Sequence, residues 1–133
     1  MNNIEQIKGL PVRAPWIDLI LVTKKVWEIR GQNSHNRNRI ALIRSGSKTI
    51  VGLARIKIVL GPLTKNDLLK NYSKHRIPLS SIRANGLPYK NTYAWVLTDV
   101  VKINSPIPYE HPNGAITWVG LSKSICRKLS LLQ

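Results

Sequence analysis

The sequence predicts an α+β fold in a single domain spanning residues 1–133: a small, closed or nearly closed β-barrel of about five or six strands, with two or three short helices on its rim. Short apolar runs, several rich in Ile and Val, alternate with turn residues at a spacing that favours local hairpins. With 43% apolar residues and no long Gly, Ser or Pro tract, the composition is that of a folded chain. A length of 133 residues suffices to bury one core without disulfides or metals.

Ala14-Pro15 followed by Trp16, Ile17, Leu19, Ile20 and Leu21 suits a short helix, with proline in its first turn and lysines at its end. A strand follows from Val26 to Arg30, then a polar loop from Gly31 to Asn38. Arg39 to Arg44 reads as an apolar strand that turns at Ser45-Gly46-Ser47 into a hairpin partner, Thr49 to Leu60. Gly52 inside that partner marks a bulge or a place where another backbone comes close. Thr64 can cap a helix from Lys65 to about His75, with Asp67 in its first turn. Ser80 to Lys90 reads as loop and Thr92 to Ile103 as a long strand, after which Pro106, Pro108 and Pro112 form a rigid connector. A last strand from Ala115 to Leu121 and a helix from Lys123 to Leu132 complete the chain.

Charge is the strongest compositional signal. Lys and Arg number 21 against six Asp and Glu, a formal net charge of +15, which points to a polyanionic partner. Ile29 to Asn66 and Leu68 to Thr98 contain no carboxylate, so both spans can present positive surface. Nucleic acid, RNA before DNA, is the expected partner. Anionic membrane is the rival, but no amphipathic helix with a large apolar face and a basic flank stands out. Cys126 stands alone, which excludes an intrachain disulfide and a Cys-based zinc site and leads to the expectation of a cytoplasmic location. The first residues lack the apolar core of a signal peptide, and no run approaches the ~20 apolar residues of a membrane span. No cofactor or metal is expected, because the carboxylates are too few; Glu28 with His35 and Glu110 with His111 are the nearest to ligand pairs.

One segment carries the pattern of a site. On a strand from Val26 to Arg30, Glu28 and Arg30 leave one face, Trp27 and Ile29 the other, and Lys25 can reach the first. Lys25 and Arg30 would hold a phosphate while Glu28 accepts from the edge of a base, which suits a single-stranded or flipped nucleotide. Trp27 belongs to the core or, turned outward at the rim, stacks a base. Lys24 completes the lysine pair, and His35 can reach the same cleft from its loop. His75, at a helix end, reads as a favourable dipole contact. Arg37, Arg39, Arg44, Lys48, Arg55 and Lys57, extended by Lys70, Lys74 and Arg76, form an outer track for phosphates. The plain alternative for Glu28 and Arg30 is an exposed ion pair worth under ~1 kcal/mol.

Pro15-Trp16, Lys25, Glu28 and Arg30, then Arg39-Ile-Ala-Leu-Ile, Ile50-Val-Gly-Leu-Ala, Tyr93-Ala-Trp-Val-Leu, Pro106 and Gly114-Ala-Ile-Thr-Trp-Val resemble, in that order, an ASCH domain, a PUA-like β-barrel family linked to RNA. The family pattern, similar to Gly-x-Lys-x-x-[Thr/Glu]-x-Arg, falls on Thr23, Lys25, Glu28 and Arg30. Two departures matter: Thr23 stands where glycine is usual, and Glu28 stands where the branch that resembles amidohydrolases of acetylated cytidine has threonine. Glutamate cannot serve as that hydroxyl nucleophile, which disfavours deacetylation. The resemblance implies an RNA-binding domain with its cleft at Lys25, Glu28 and Arg30. The alternatives are a hydrolase acting on RNA or a modified nucleoside, with Lys25 and Glu28 catalytic, and a protein-interaction domain for an acidic partner.

Overall fold

The computed structural model of the chain describes residues 4–115 and 117–132. Five strands form one curled sheet: β1 (Lys8–Val12), β2 (Trp27–Arg30), β3 (Arg39–Arg44), β4 (Thr49–Leu60) and β5 (Tyr93–Pro108). The helices are α1 (Trp16–Leu21), α2 (Lys65–Lys70), α3 (Tyr72–His75), α4 (Leu79–Asn85) and α5 (Lys123–Ser130). The sheet order is β1-β3-β4-β5-β2, with β1 parallel to β3 and every other pair antiparallel. The result is a half-barrel in which the first two strands of the sequence form the two edges.

Strands β4 and β5 pair along almost their whole length, and register shifts at Ile50/Gly52, Leu53/Arg55 and Ile56/Ile58 bend them into the curl. Gly52 proves to be both a bulge and a close approach: a Cβ there would lie 2.5 Å from Leu21 Cδ2 and 2.9 Å from the Val101 carbonyl oxygen. Both faces of the sheet are covered, which explains the continuous apolar run of β3. Ile40 and Leu42 face the concave cluster with Leu10, Ile17, Ile20, Ile56 and Trp95, plugged by α1. Ala41 and Ile43 face a second cluster with Ile50, Leu53, Cys126 and Leu129, covered by α5. A third cluster joins Trp27, Ile29 and Ala94 to Leu68 and Ile82 of α2 and α4.

Several expectations give way here. The helix expected from Lys65 to His75 starts as predicted, with Thr64 and Asp67 in a reciprocal capping box, but breaks at Asn71. There the Asn71 amide donates to the Asp67 carbonyl at 2.7 Å. Within the loop expected from Ser80 to Lys90, residues 80–85 instead belong to α4: Ser80-Ser81 and the lack of a side-chain cap hide it, and burial of Ile82 holds it. Strand β5 runs past Ile103 through Pro106 to Pro108, with Ile107 opposite Ile50 and Pro108 opposite Thr49. Proline is tolerated because β2 covers only residues 93–96, which leaves the rest of β5 an edge on that side. The strand expected from Ala115 to Leu121 reduces to one bridge between Val119 and Gly9; Ile116 lies outside the described residues. Strand β1 carries no alternation strong enough to announce itself and forms by parallel pairing with β3.

No helix among the described residues is long and apolar enough to cross a membrane. Gly52→Ala should cost about 1–3 kcal/mol, because the added methyl meets backbone at Val101 and the packed Leu21 side chain. Urea unfolding read by tryptophan fluorescence checks it, and an unchanged midpoint would refute the close approach.

Candidate functional site

The edges β1 and β2 face each other across an open seam, and one side chain spans it. Arg30 Nε donates to Glu28 Oε2 at 2.9 Å, and Arg30 Nη2 donates to the carbonyl of Pro11, on β1, at 2.7 Å. The guanidinium also lies 5.8 Å from the Trp95 ring centroid. Glu28 sits opposite Trp95 in the β2/β5 ladder, so Glu28 and Arg30 leave the concave face together, as strand alternation predicts. Trp27 points the other way and is buried with Ile29, Leu68 and Ile82, with Lys74 Nζ 5.1 Å from its ring centroid. It is a core residue and unavailable to stack a base.

Lys25 departs from the expected role. It is 2% exposed, and its Nζ donates to the carbonyls of Trp27 at 2.6 Å and His75 at 2.7 Å, with Glu28 Oε1 3.7 Å away. Two of its donors are committed to backbone, so it braces the turn and places positive charge behind Glu28 rather than gripping a phosphate. Burial lowers its pKa from 10.5 to about 8, against the opposing pull of Glu28. The partner carbonyl belongs to a fully buried histidine: His75 Nε2 donates to the Leu68 carbonyl at 2.7 Å and Nδ1 accepts from the Ile77 N–H at 2.9 Å. That pattern requires the neutral ring, and burial lowers its pKa, so the expected charged contact with a helix end is replaced by a neutral structural histidine.

The turn carrying Lys25 explains the departure at Thr23. Thr23 has φ +59°, the left-handed conformation that glycine adopts without strain, and its hydroxyl donates to the Val22 carbonyl at 2.7 Å. A β-branched residue is held in glycine's conformation because the following amides, Lys24 and Lys25, both donate to the Leu19 carbonyl and Val26 N–H donates to Lys74.

A cleft of about 850 Å³ opens at the seam. Pro11, Val12, Arg13 and Trp16 form one wall; Lys25, Glu28, Ile29 and Arg30 another; and the α4 end with its following loop, through Tyr89, a third. Lys48, Tyr109, His111 and Ala115 close it. Tyr109 Oη lies 2.8 Å from His111 Nδ1, while His111 Nε2 donates to the Ala115 carbonyl at 2.9 Å. Within the cleft, Glu28 Oε1 lies 3.7 Å from Lys25 Nζ, and Arg30 Nη1 makes no hydrogen bond to any described residue. No group of three or more His, Cys, Asp or Glu among the described residues could hold a metal ion.

The chain matches the ASCH domain model over residues 10–107. It belongs to the ASCH domain family. Crystal structures of an ASCH protein from Zymomonas mobilis share the fold: that protein aligns at 19% identity with a TM-score of 0.70, covering 96% of this chain and 95% of that one. A tyrosine-to-phenylalanine variant of it aligns at 19% identity with a TM-score of 0.71, covering 96% and 98%. A serine-to-alanine variant aligns at 18% identity with a TM-score of 0.70, covering 98% and 99%. No curated protein matches the sequence.

The outer track expected on this ASCH domain is largely engaged elsewhere. Arg39 holds Glu5 through two bonds of 2.8 and 2.9 Å and donates to the Leu132 and Leu129 carbonyls, which ties β3 to both ends of the chain. Arg44 pairs with Asp18 at 2.6 and 3.0 Å, and Arg55 lies 3.9 Å from Asp99. Arg37 donates to the Ser34 and Asn36 carbonyls of its own loop. Lys24 and His35 are exposed but do not line the cleft. Lys48, read as part of the outer track, instead joins the cleft, as does Arg13, which sequence reasoning passed over. Neither makes an ion pair among the described residues. The charge alone could have nominated Arg13; its position beside Lys48 follows only from the parallel β1/β3 pairing.

Thr23→Gly should stabilise the domain by about 1 kcal/mol by relieving the left-handed strain, read as a shift of the urea midpoint. Lys25→Met should cost about 2 kcal/mol or more at pH 7, because two buried carbonyls lose their donor. Between pH about 8 and 10.5 the unfolded chain keeps the Lys25 proton and the folded chain releases it, so this group's contribution to stability rises with pH. The stability gap between native and Lys25→Met should therefore widen across that window, and a constant gap would contradict the lowered pKa.

Proposed function

We propose that this ASCH domain binds single-stranded nucleic acid, RNA in preference to DNA, and seats one unpaired nucleotide in the seam cleft. The observation that carries this reading is the distribution of charge. Among the described residues, five of the six carboxylates have partners within the fold: Glu5, Asp18, Glu28 and Asp99 lie against basic side chains, and Asp67 caps α2. Arg13 and Lys48 at the cleft are left unneutralised and suit the phosphates of a backbone. Arg30 Nη1 offers an uncommitted charged donor and the Glu28 carboxylate an acceptor in the same cleft, groups that suit a base edge whose Watson–Crick groups are unpaired. The cleft is walled by a strand edge and a loop, which admits a flipped or single-stranded nucleotide more readily than a rigid duplex. The preference for RNA rests on the family's link to RNA.

A second reading, an RNA hydrolase, is favoured by the Tyr109–His111 pair, which lines the same cleft as Lys25 and Glu28, so that groups able to move protons share one cavity. It predicts shortened RNA in the binding reaction.

Anisotropy of a labelled oligouridylate, its deoxy counterpart and a duplex, over a range of salt, tests the binding reading. Arg13→Ala with Lys48→Ala should weaken single-strand binding and lower the slope of log affinity against log salt by between about 1 and 2. A double variant with native affinity and slope would remove the cleft from the binding surface. Electrophoresis of the same samples reports whether the RNA stays intact.

A further inference from the structure

We propose that Tyr89 is the base-stacking platform of the cleft, so that the domain recognises the bases of a single strand as well as its phosphates. The inference rests on the nucleotide-binding reading and assigns the surface on which a base lies.

Tyr89 lines the cleft yet is 44% exposed, among the few large apolar side chains the fold leaves open to solvent. One side of the ring is packed against the chain. A Cβ at Gly31 would fall 2.8 Å from Tyr89 Cδ1 and 3.0 Å from Cγ, so the ring rests directly on the backbone that follows Arg30. Only glycine permits that approach. The backbone of Tyr89 is held as well: its carbonyl accepts the hydroxyl of the fully buried Thr92 at 2.9 Å, and Pro88 restricts the approach from the other side. The Tyr89 hydroxyl bonds to none of the described residues, so no polar contact accounts for the ring's position.

A rigid aromatic face, backed by a glycine, beside an arginine and a carboxylate and within a cleft holding two unneutralised cations, has the form of a single-strand stacking site. Base–aromatic stacking tolerates any sequence because every base has a π face. The next residue, Lys90, is exposed. Trp27, which the sequence offered for this role, is buried; Tyr89 takes it from the loop after α4.

The test compares an oligouridylate with a ribose-phosphate oligomer of equal length that lacks bases. The native protein should prefer the base-bearing strand by about tenfold or more. Tyr89→Ala should erase that preference while leaving affinity for the baseless oligomer and the salt slope unchanged. Tyr89→Phe should retain the preference, and Gly31→Ala, which displaces the ring without removing it, should reduce it. Equal native affinity for the two oligomers, or a full preference in Tyr89→Ala, would overturn the stacking role. If the Arg13 and Lys48 double variant weakens binding while Tyr89→Ala does not, the platform alone fails; if neither variant has an effect, the cleft reading fails with it.

Discussion

The guanidinium of Arg30 holds together what the backbone leaves apart. A curled sheet with β1 and β2 as its edges has two rows of unpaired backbone groups facing across a gap. Arg30 bridges it by donating to the Pro11 carbonyl while its Nε neutralises Glu28. Pro11 suits an edge because it has no N–H to leave unpaired, only the carbonyl that Arg30 takes. The gap therefore stays wide enough to be a cleft and remains fixed in shape. Glu28 can be almost buried only because Arg30 and Lys25 stand on either side of it, and Lys25 can be buried because the Trp27 and His75 carbonyls accept hydrogen bonds from its Nζ. Site and scaffold are thus one network.

That network also sorts the charge. A chain of net charge +15 must limit its own repulsion, and its few carboxylates are placed against strand arginines at positions that tie elements together: Glu5 with Arg39, Asp18 with Arg44. Both carboxyls are held below their ordinary pKa, first by the hydrogen bond to the arginine and with its charge adding to the effect. The cations left without such partners include those at the cleft and on exposed loops. Arg13 and Lys48 at the cleft are two of them.

Legibility followed the range of the interactions. Strands β3 and β4 were readable to the residue because their boundaries are local: basic residues flank the apolar run Ile40 to Ile43, and Gly61-Pro62 ends the next. Thr64 announced α2 for the same reason, since a capping box is complete within four residues. Helix α4 was hidden because Leu79–Asn85 has weak intrinsic preference and is stabilised by burying Ile82 against Leu68 and Trp27. Pro106 and Pro108 misled because a proline's effect on a strand depends on whether its nitrogen faces a partner, which is a property of the sheet.

The sequence by itself determined the basic composition, the family pattern and the shared face of Glu28 and Arg30, because composition and period-two alternation act over neighbouring residues. It flagged Thr23 as a departure from the family's glycine, but only the structure showed that the left-handed turn is kept there. Only the tertiary structure decided that Lys25 is a buried brace, that Arg39 and Arg44 are staples, and that Arg13, Lys48 and Tyr89 meet at one cleft. Those assignments depend on the parallel pairing of β1 with β3, the crossing of β2 to β5 and the return of the loop after α4 onto Gly31. Each brings together groups far apart in the chain, whose burial and partners are set by packing rather than by their neighbours in sequence.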